Sequence, residues 1–400
     1  MSFTADFFTS NRSKLKEKTS GVIVIPGNGQ VQRSGDSAYA FRQDSNFWYL
    51  TGIQEPGIVL VISSTEEFII LPKRTAIQEV FDGSYDTNEL QMVSGIEQIL
   101  NYNAGWDKLE KLILDQKVYI PTVEEQNLSQ DVYINYAKTK TLAKIIGTVG
   151  KENTKDISGQ LTKLRMIKQQ PEVEAIQKSI DITAKTFSKV MNNDWAKKYK
   201  NESDIAAEFN YMFSKEGAEH AYLPIIASGK NACTLHYIKN NQPVEQDKPL
   251  LIDAGAEKDM YAADITRVFA SDKFTPQQKR IYNVVKNANE QAINMVKPGV
   301  TLKEIELATE KFLGSFLYSE KYIPSKDRKY IRKYYPHSVS HHLGLDVHDV
   351  ADYTKPLEPG MVITIEPGLY IPEIGVGIRI EDDILVTEKG SKILSSSLPK

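Results

Sequence analysis

The 400-residue chain has a single cysteine, Cys233, so no disulfide can form within it. That usage suits a reducing compartment, and a cytoplasmic location is expected. Long apolar runs are also missing. No stretch approaches the ~20 uninterrupted apolar residues of a membrane-spanning helix, so no membrane is expected as a partner. The opening residues Met-Ser-Phe-Thr-Ala-Asp-Phe-Phe lack a basic segment followed by an apolar run, and no secretion signal is expected. An excess of one charge is absent too. The formal net charge of −3 gives no reason to expect nucleic acid as a partner.

What is present is ordinary for a globular protein, with 41% hydrophobic and 25% charged residues. The length exceeds what one compact core usually serves, so two domains are expected. In the first part, residues 3–18 have the pattern of a short amphipathic helix. Val22–Ile25 reads as a strand ended by Pro26-Gly27-Asn28-Gly29. Two apolar runs, 58–62 and 68–71, suggest a hairpin. Residues 87–115 have helical spacing, and Val118–Ile120 is one more strand. This is a mixed α/β pattern without a chemical motif. The polar stretch Lys151–Gln160 marks the boundary, which places the domains at 1–158 and 159–400.

A pattern then occurs twice. Helices are predicted from about Pro171 and over 203–215, the second ending at Gly217. Strands follow near 222–227, 249–253 and 261–270. The second pass opens at Thr275-Pro276-Gln277-Gln278 and continues with Thr301-Leu302-Lys303-Glu304, both capping boxes. Its strands are predicted near 337–341, 362–366 and 377–386. The fold class implied is α+β, with two similar halves around a shared cleft in the second domain.

The candidate chemistry lies in that domain. Leu251-Ile252-Asp253-Ala254-Gly255 is an apolar strand carrying an aspartate, and Asp264 lies in Ala263-Asp264-Ile265-Thr266-Arg267. A hairpin would place Asp253 and Asp264 side by side, where they repel unless something positive lies between them. The residues alone leave open that one or both are exposed turn residues. Glu366, in Thr-Ile-Glu-Pro-Gly, ends another apolar strand. Arg379 and Glu381 alternate on a returning strand and share a face, which a salt-bridge ladder would also explain. Four of the six histidines fall in His337–Asp349: His337, His341, His342 and His348. Carboxylates with one imidazole suit hard or borderline divalent ions, and four acids suit two ions better than one.

At these segments the sequence resembles the pita-bread metallopeptidases, most closely the Xaa-Pro aminopeptidases (aminopeptidase P). Five ligand segments agree in residue type, order and approximate spacing. Asp44-Ser45-Asn46-Phe47-Trp48-Tyr49-Leu50-Thr51-Gly52 resembles the creatinase-type N-terminal domain of the same enzymes. The resemblance implies a C-terminal pita-bread domain of two pseudo-symmetric halves. It also implies hydrolysis of the N-terminal Xaa-Pro bond of proline-containing peptides through a hydroxide bridging two divalent ions. Mn²⁺ is the first expectation for those ions, with Co²⁺ and Zn²⁺ also compatible. Asp253 would chelate one ion, Asp264 and Glu381 would bridge both, and His341 and Glu366 would complete the second. Glu366 would also accept the proton of the water. His348 and His236 would face the substrate, His337 would line the proline side, and Arg379 would hold substrate or orient the acids. A homo-oligomer, dimer or tetramer, is implied.

His220 has no motif support. His342 departs from the pattern, since relatives often carry a bulky aromatic beside the ligand histidine. The segment between Tyr370 and Gly377 is short. A prolidase restricted to Xaa-Pro dipeptides shares all five ligands and stands as the alternative. A non-catalytic peptide-binding relative would ordinarily have lost ligands that this chain keeps.

Overall fold

Runs of β-branched and aromatic residues between turn clusters build a sheet in the first third of the chain. The computed structural model describes residues 3–114, 116–122, 134–192 and 194–400. The sheet has six strands in the order Gln98–Leu100, Glu67–Ile70, Val59–Ile62, Val22–Pro26, Val118–Ile120, Thr154–Asp156. The predicted hairpin is the antiparallel pair Val59–Ile62 and Glu67–Ile70. The aromatic stretch after Asp44 is the helix Ser45–Thr51, started by the Asp44 carboxylate on the Phe47 amide and stopped by left-handed Gly52. The helical spacing over 87–115 gives two helices, Thr87–Ser94 and Tyr102–Ile113. Left-handed Gly95 ends the first, and the intervening Gln98–Leu100 joins the sheet edge.

The chain divides into two compact units, Met1–Leu164 and Arg165–Lys400. The polar stretch beginning at Lys151 still belongs to the first unit, because Thr154–Asp156 pairs in parallel with Val118–Ile120. The division falls within the helix Ser158–Met166.

In the second unit the repeated pattern is realised. Helices Gln170–Val190 and Glu202–Lys215 precede the antiparallel sheet Ile225–Ser228, Leu250–Ala254, Ile265–Phe269. Helices Pro276–Met295 and Leu302–Ser319 precede the sheet Val362–Ile365, Asp382–Thr387, Gly390–Ile393 and the hairpin Gly368–Ile371, Val376–Arg379. Both predicted capping boxes form, at Thr275 with Gln278 and at Thr301 with Glu304. The helices lay apolar stripes such as Ile281, Val285, Ala288 and Ala292 against the strands.

Four predicted strands differ in a way that matters. The run 261–270 is broken at Ala263-Asp264, with Tyr261–Ala262 in one small sheet and Ile265–Phe269 in another. The returning strand is broken at Ile380-Glu381, and Val362–Ile365 stops just before Glu366. Asp264, Glu366 and Glu381 therefore stand where the chain passes from one sheet to the next. Gly255 lets that crossing occur, since a Cβ there would collide with the Ala263 carbonyl oxygen. Residues 337–341 form no strand, although their carbonyls accept from Thr364 and Glu366 amides at 2.9 and 2.8 Å. The Val339 amide goes instead to Glu306 and the His341 amide to the Thr364 hydroxyl, so the ladder is one-sided.

The histidine-bearing segment is tied down by charge. Asp349, 4% exposed, meets Arg165 at 2.5 Å and Lys168 at 2.9 Å, and its amide donates to the His342 carbonyl. Its carboxylate fills the space a side chain at Gly344 would need. The two cations beside it hold Asp349 down at about 2 against the cost of burial. Asp349→Asn leaves Arg165 and Lys168 buried with less compensating charge and should cost about 3–5 kcal/mol in urea unfolding. Because this pKa is depressed, the stabilisation is complete above the ordinary aspartate value and should be lost as pH falls from about 4 towards 2. Asp349→Asn should lack that component; an unchanged acid dependence would contradict it.

Candidate metal centre

Four largely buried acids and His341 come close together in the second unit. Ligand atoms of Asp264, His341 and Glu381 all lie within 4.8 Å of one another. His341 Nε2 is 3.3 Å from Asp264 Oδ2 and 3.5 Å from Glu366 Oε1. Its Nδ1 faces the His342 carbonyl oxygen at 3.0 Å, which leaves Nε2 for the pocket. Asp253 stands on the strand Leu250–Ala254, with Thr266 opposite it. Asp253 and Asp264 are 7% and 5% exposed, so neither is a surface turn residue.

Arg379 and Glu381 do not form a ladder with each other. The Arg379 guanidinium pairs with Asp253, and also donates to Tyr370 Oη at 2.8 Å and Thr266 Oγ1 at 3.0 Å. The Thr266 hydroxyl in turn donates to Glu381 Oε2 at 2.7 Å. Tyr222 escaped sequence reasoning, as no motif surrounds it. Its hydroxyl lies within hydrogen-bond reach of both Asp253 and Asp264. Tyr370 lies four residues after Glu366 and Thr266 two after Asp264, but their parts emerge only from the packing. Asp383, a further buried acid, accepts from the Asp264 amide at 3.1 Å.

The electrostatics are those of crowded anions. Burial, opposed by Arg379 and reinforced by Asp264, pushes Asp253 up to about 6. Burial, opposed by His341 and Arg379 and reinforced by Asp264 and Asp253, pushes Glu366 up to about 7. Glu381 is driven well above the carboxylate range by burial and then by Asp264, Glu366 and Asp253. Burial opposes charge on His341, yet the hydrogen bond to Asp264 and the nearby Glu366 lift it to about 9. Four acids thus share Arg379 and one imidazole as counter-charges. Such a set of oxygen donors with one nitrogen fits divalent cations.

The other histidines separate by place. His348 packs its ring 4.2 Å from that of His341 and is exposed on its outer side. Burial and the neighbouring His341, with a smaller contribution from His236, hold it below its ordinary value. His236 is exposed on the segment between Ile225–Ser228 and Leu250–Ala254. That segment is anchored by fully buried Glu202, which accepts from Ser228 N, Asn231 Nδ2, Tyr237 Oη and Gln242 N at 2.7–3.0 Å. His337, half-buried, contacts Tyr370 Oη at 2.9 Å through Nε2 and lies 3.6 Å from Glu366. Burial and then Arg379 keep it neutral, at about 3. His342 turns away from the acids and packs edge-on against Tyr353. His220 lies apart, against Phe213.

Comparison with known proteins places the whole chain. Residues 174–388 match the model of metallopeptidase family M24, and residues 8–121 match that of the aminopeptidase P N-terminal domain. The chain is 35% identical to a Haemophilus influenzae Xaa-Pro aminopeptidase, over 98% of this chain and 94% of the relative. It is 32% identical to human Xaa-Pro aminopeptidase 3, over 96% and 79%. The solved structure of E. coli aminopeptidase P with the inhibitor Pro-Leu superposes with a TM-score of 0.86 at 30% identity, covering 100% of this chain and 96% of that one. The same enzyme, zinc-substituted and in complex with product, matches with a TM-score of 0.86 at 29% identity and the same coverage. The chain belongs to metallopeptidase family M24, on its aminopeptidase P branch, and is a metalloaminopeptidase.

A cation entering this pocket would compete with protons, because Asp253, Glu366, Glu381 and His341 all hold theirs to higher pH than usual. Added Mn²⁺ should therefore raise the unfolding midpoint more at about pH 7.5 than at about pH 5. An equal or larger shift at the lower pH would contradict the assignment.

Proposed function

We propose that the chain removes the N-terminal residue from peptides whose second residue is proline. In this reading Asp253, Asp264, His341, Glu366 and Glu381 would hold two divalent ions. Asp264 and Glu381 would contribute to both, Asp253 to one, and His341 with Glu366 to the other. The observation that carries the reading is the convergence of Asp264, His341 and Glu381 on one buried point. The chemistry that divalent cations supply at such a site is activation of water and polarisation of the scissile carbonyl.

The chain's own residues do the rest. Glu366 is the acid suited to take a proton. Arg379 holds Asp253 and the Thr266 hydroxyl holds Glu381, whereas among the described residues the Glu366 carboxylate pairs with the imidazoles of His337 and His341. The departing proline nitrogen leaves a tertiary amide and needs a proton, which Glu366 can return. His348 and His236, on the open side, donate towards the carbonyl oxygen as negative charge develops. His337, neutral and fixed on Tyr370, lines the proline side. Arg379 keeps Asp253 in place and, through the Thr266 hydroxyl, Glu381.

The relatives' names support the Xaa-Pro specificity. The oxygen-rich donor set supports Mn²⁺ as the native ion. A cytoplasmic location is proposed from the lone cysteine. A dimer or tetramer is proposed from family likeness alone.

A panel of Xaa-Pro dipeptides and longer Xaa-Pro peptides with added Mn²⁺ tests the specificity. Hydrolysis of the longer peptides is expected; cleavage of dipeptides alone would make the chain a prolidase. Asp264→Ala should lower turnover at least ~100-fold together with bound metal, and full activity in that variant would remove it from the site.

A further inference from the structure

Glu366 and Glu381 come from different strands, yet one buried side chain touches the backbone immediately before each. Asn289 lies on the helix Pro276–Met295 and is fully buried. Its Nδ2 donates to the Ile365 carbonyl at 2.9 Å and to the Ile380 carbonyl at 3.0 Å. Ile365 is the last residue of Val362–Ile365, and Ile380 lies between Val376–Arg379 and Asp382–Thr387. Both carbonyls stand where strands part, so a partner must come from outside the sheet. A primary amide has two N–H bonds on one nitrogen and can serve both.

The other end of the carboxamide is also fixed. Asn289 Oδ1 accepts from Lys400 Nζ at 2.5 Å, and Lys400 Nζ lies 3.1 Å from Asp382 Oδ2, on the residue after Glu381. Lys400 thus orients the amide so that its donors face the two carbonyls. The buried positions around Asn289 on the same helix are apolar: Val285, Ala288, Ala292 and Ile293. Packing alone would be served by a leucine there, whereas the paired carbonyls require the amide.

We propose that Asn289, oriented by Lys400, is a positioning residue that sets the spacing of Glu366 and Glu381 and through it the affinity of the site for divalent cations. This rests on the reading of both glutamates as metal ligands. Removing outer partners of metal ligands weakens metal binding about 10–100-fold.

Full-length protein stripped with chelator is titrated calorimetrically with Mn²⁺, beside Asn289→Leu, Lys400→Met and Glu381→Ala, with unfolding midpoints taken on the same samples. Asn289→Leu should bind Mn²⁺ about 10–100-fold more weakly while folded, and Lys400→Met should show a smaller loss in the same direction. Unchanged affinity in both, even with a lowered midpoint, would overturn the proposal and leave Asn289 as part of the packing only. If Asn289→Leu does not fold, Lys400→Met decides: weaker binding supports the proposal and unchanged binding overturns it. If Glu381→Ala binds Mn²⁺ like the parent protein, the ligand reading itself fails, and the proposal with it.

Discussion

The repulsion among Asp253, Asp264, Glu366 and Glu381 is the constraint on which the second unit depends. Burial multiplies the cost of each charge, and proximity adds to it. The protein's own counter-charges are few. Arg379 is committed to Asp253, and His341 is shared between Asp264 and Glu366. In the proposed reading a divalent cation resolves this conflict, and the same acids that destabilise the pocket define its use. Three of them stand where a strand leaves one sheet for another, so their backbones are not held by a continuous ladder. Freedom from the ladder lets carboxylates from different strands point at one centre.

That freedom has to be restrained from outside, and the unit does so with buried polar anchors. Asp349, between Arg165 and Lys168, fixes the irregular segment bearing His341 and His348. Glu202 fixes the segment bearing His236 with four hydrogen bonds. Asn289 reaches both strand breaks of the second half. Each anchor is fully satisfied, which is the condition under which a buried polar group rigidifies. The apolar core holds the helices against the sheets, and these few polar contacts set the finer positions within it.

Much of this was legible in the sequence, for identifiable reasons. Amphipathic spacing and capping boxes are local, so the helices from Pro171 and Thr275 could be read directly. The acids at strand ends could be read because an apolar run stopping at Asp or Glu is itself a local signal, and the family resemblance suggested the roles proposed for them. What could not be read is long-range. The breaks at Asp264 and Glu381 look like continuous strands until the sheets they join are seen. Tyr222 lies 31 and 42 residues from the acids it touches and has no neighbouring motif. The one-sided pairing of 337–341 follows from Glu306 and Thr364 capturing two amides, which only packing reveals.

In the proposed reading, five side chains from both halves of the unit hold two divalent ions. The most direct measurement is anomalous diffraction from crystals grown with Mn²⁺. The expected result is two peaks enclosed by Asp253, Asp264, His341, Glu366 and Glu381. No peak there, or peaks only at other carboxylates, would contradict the account.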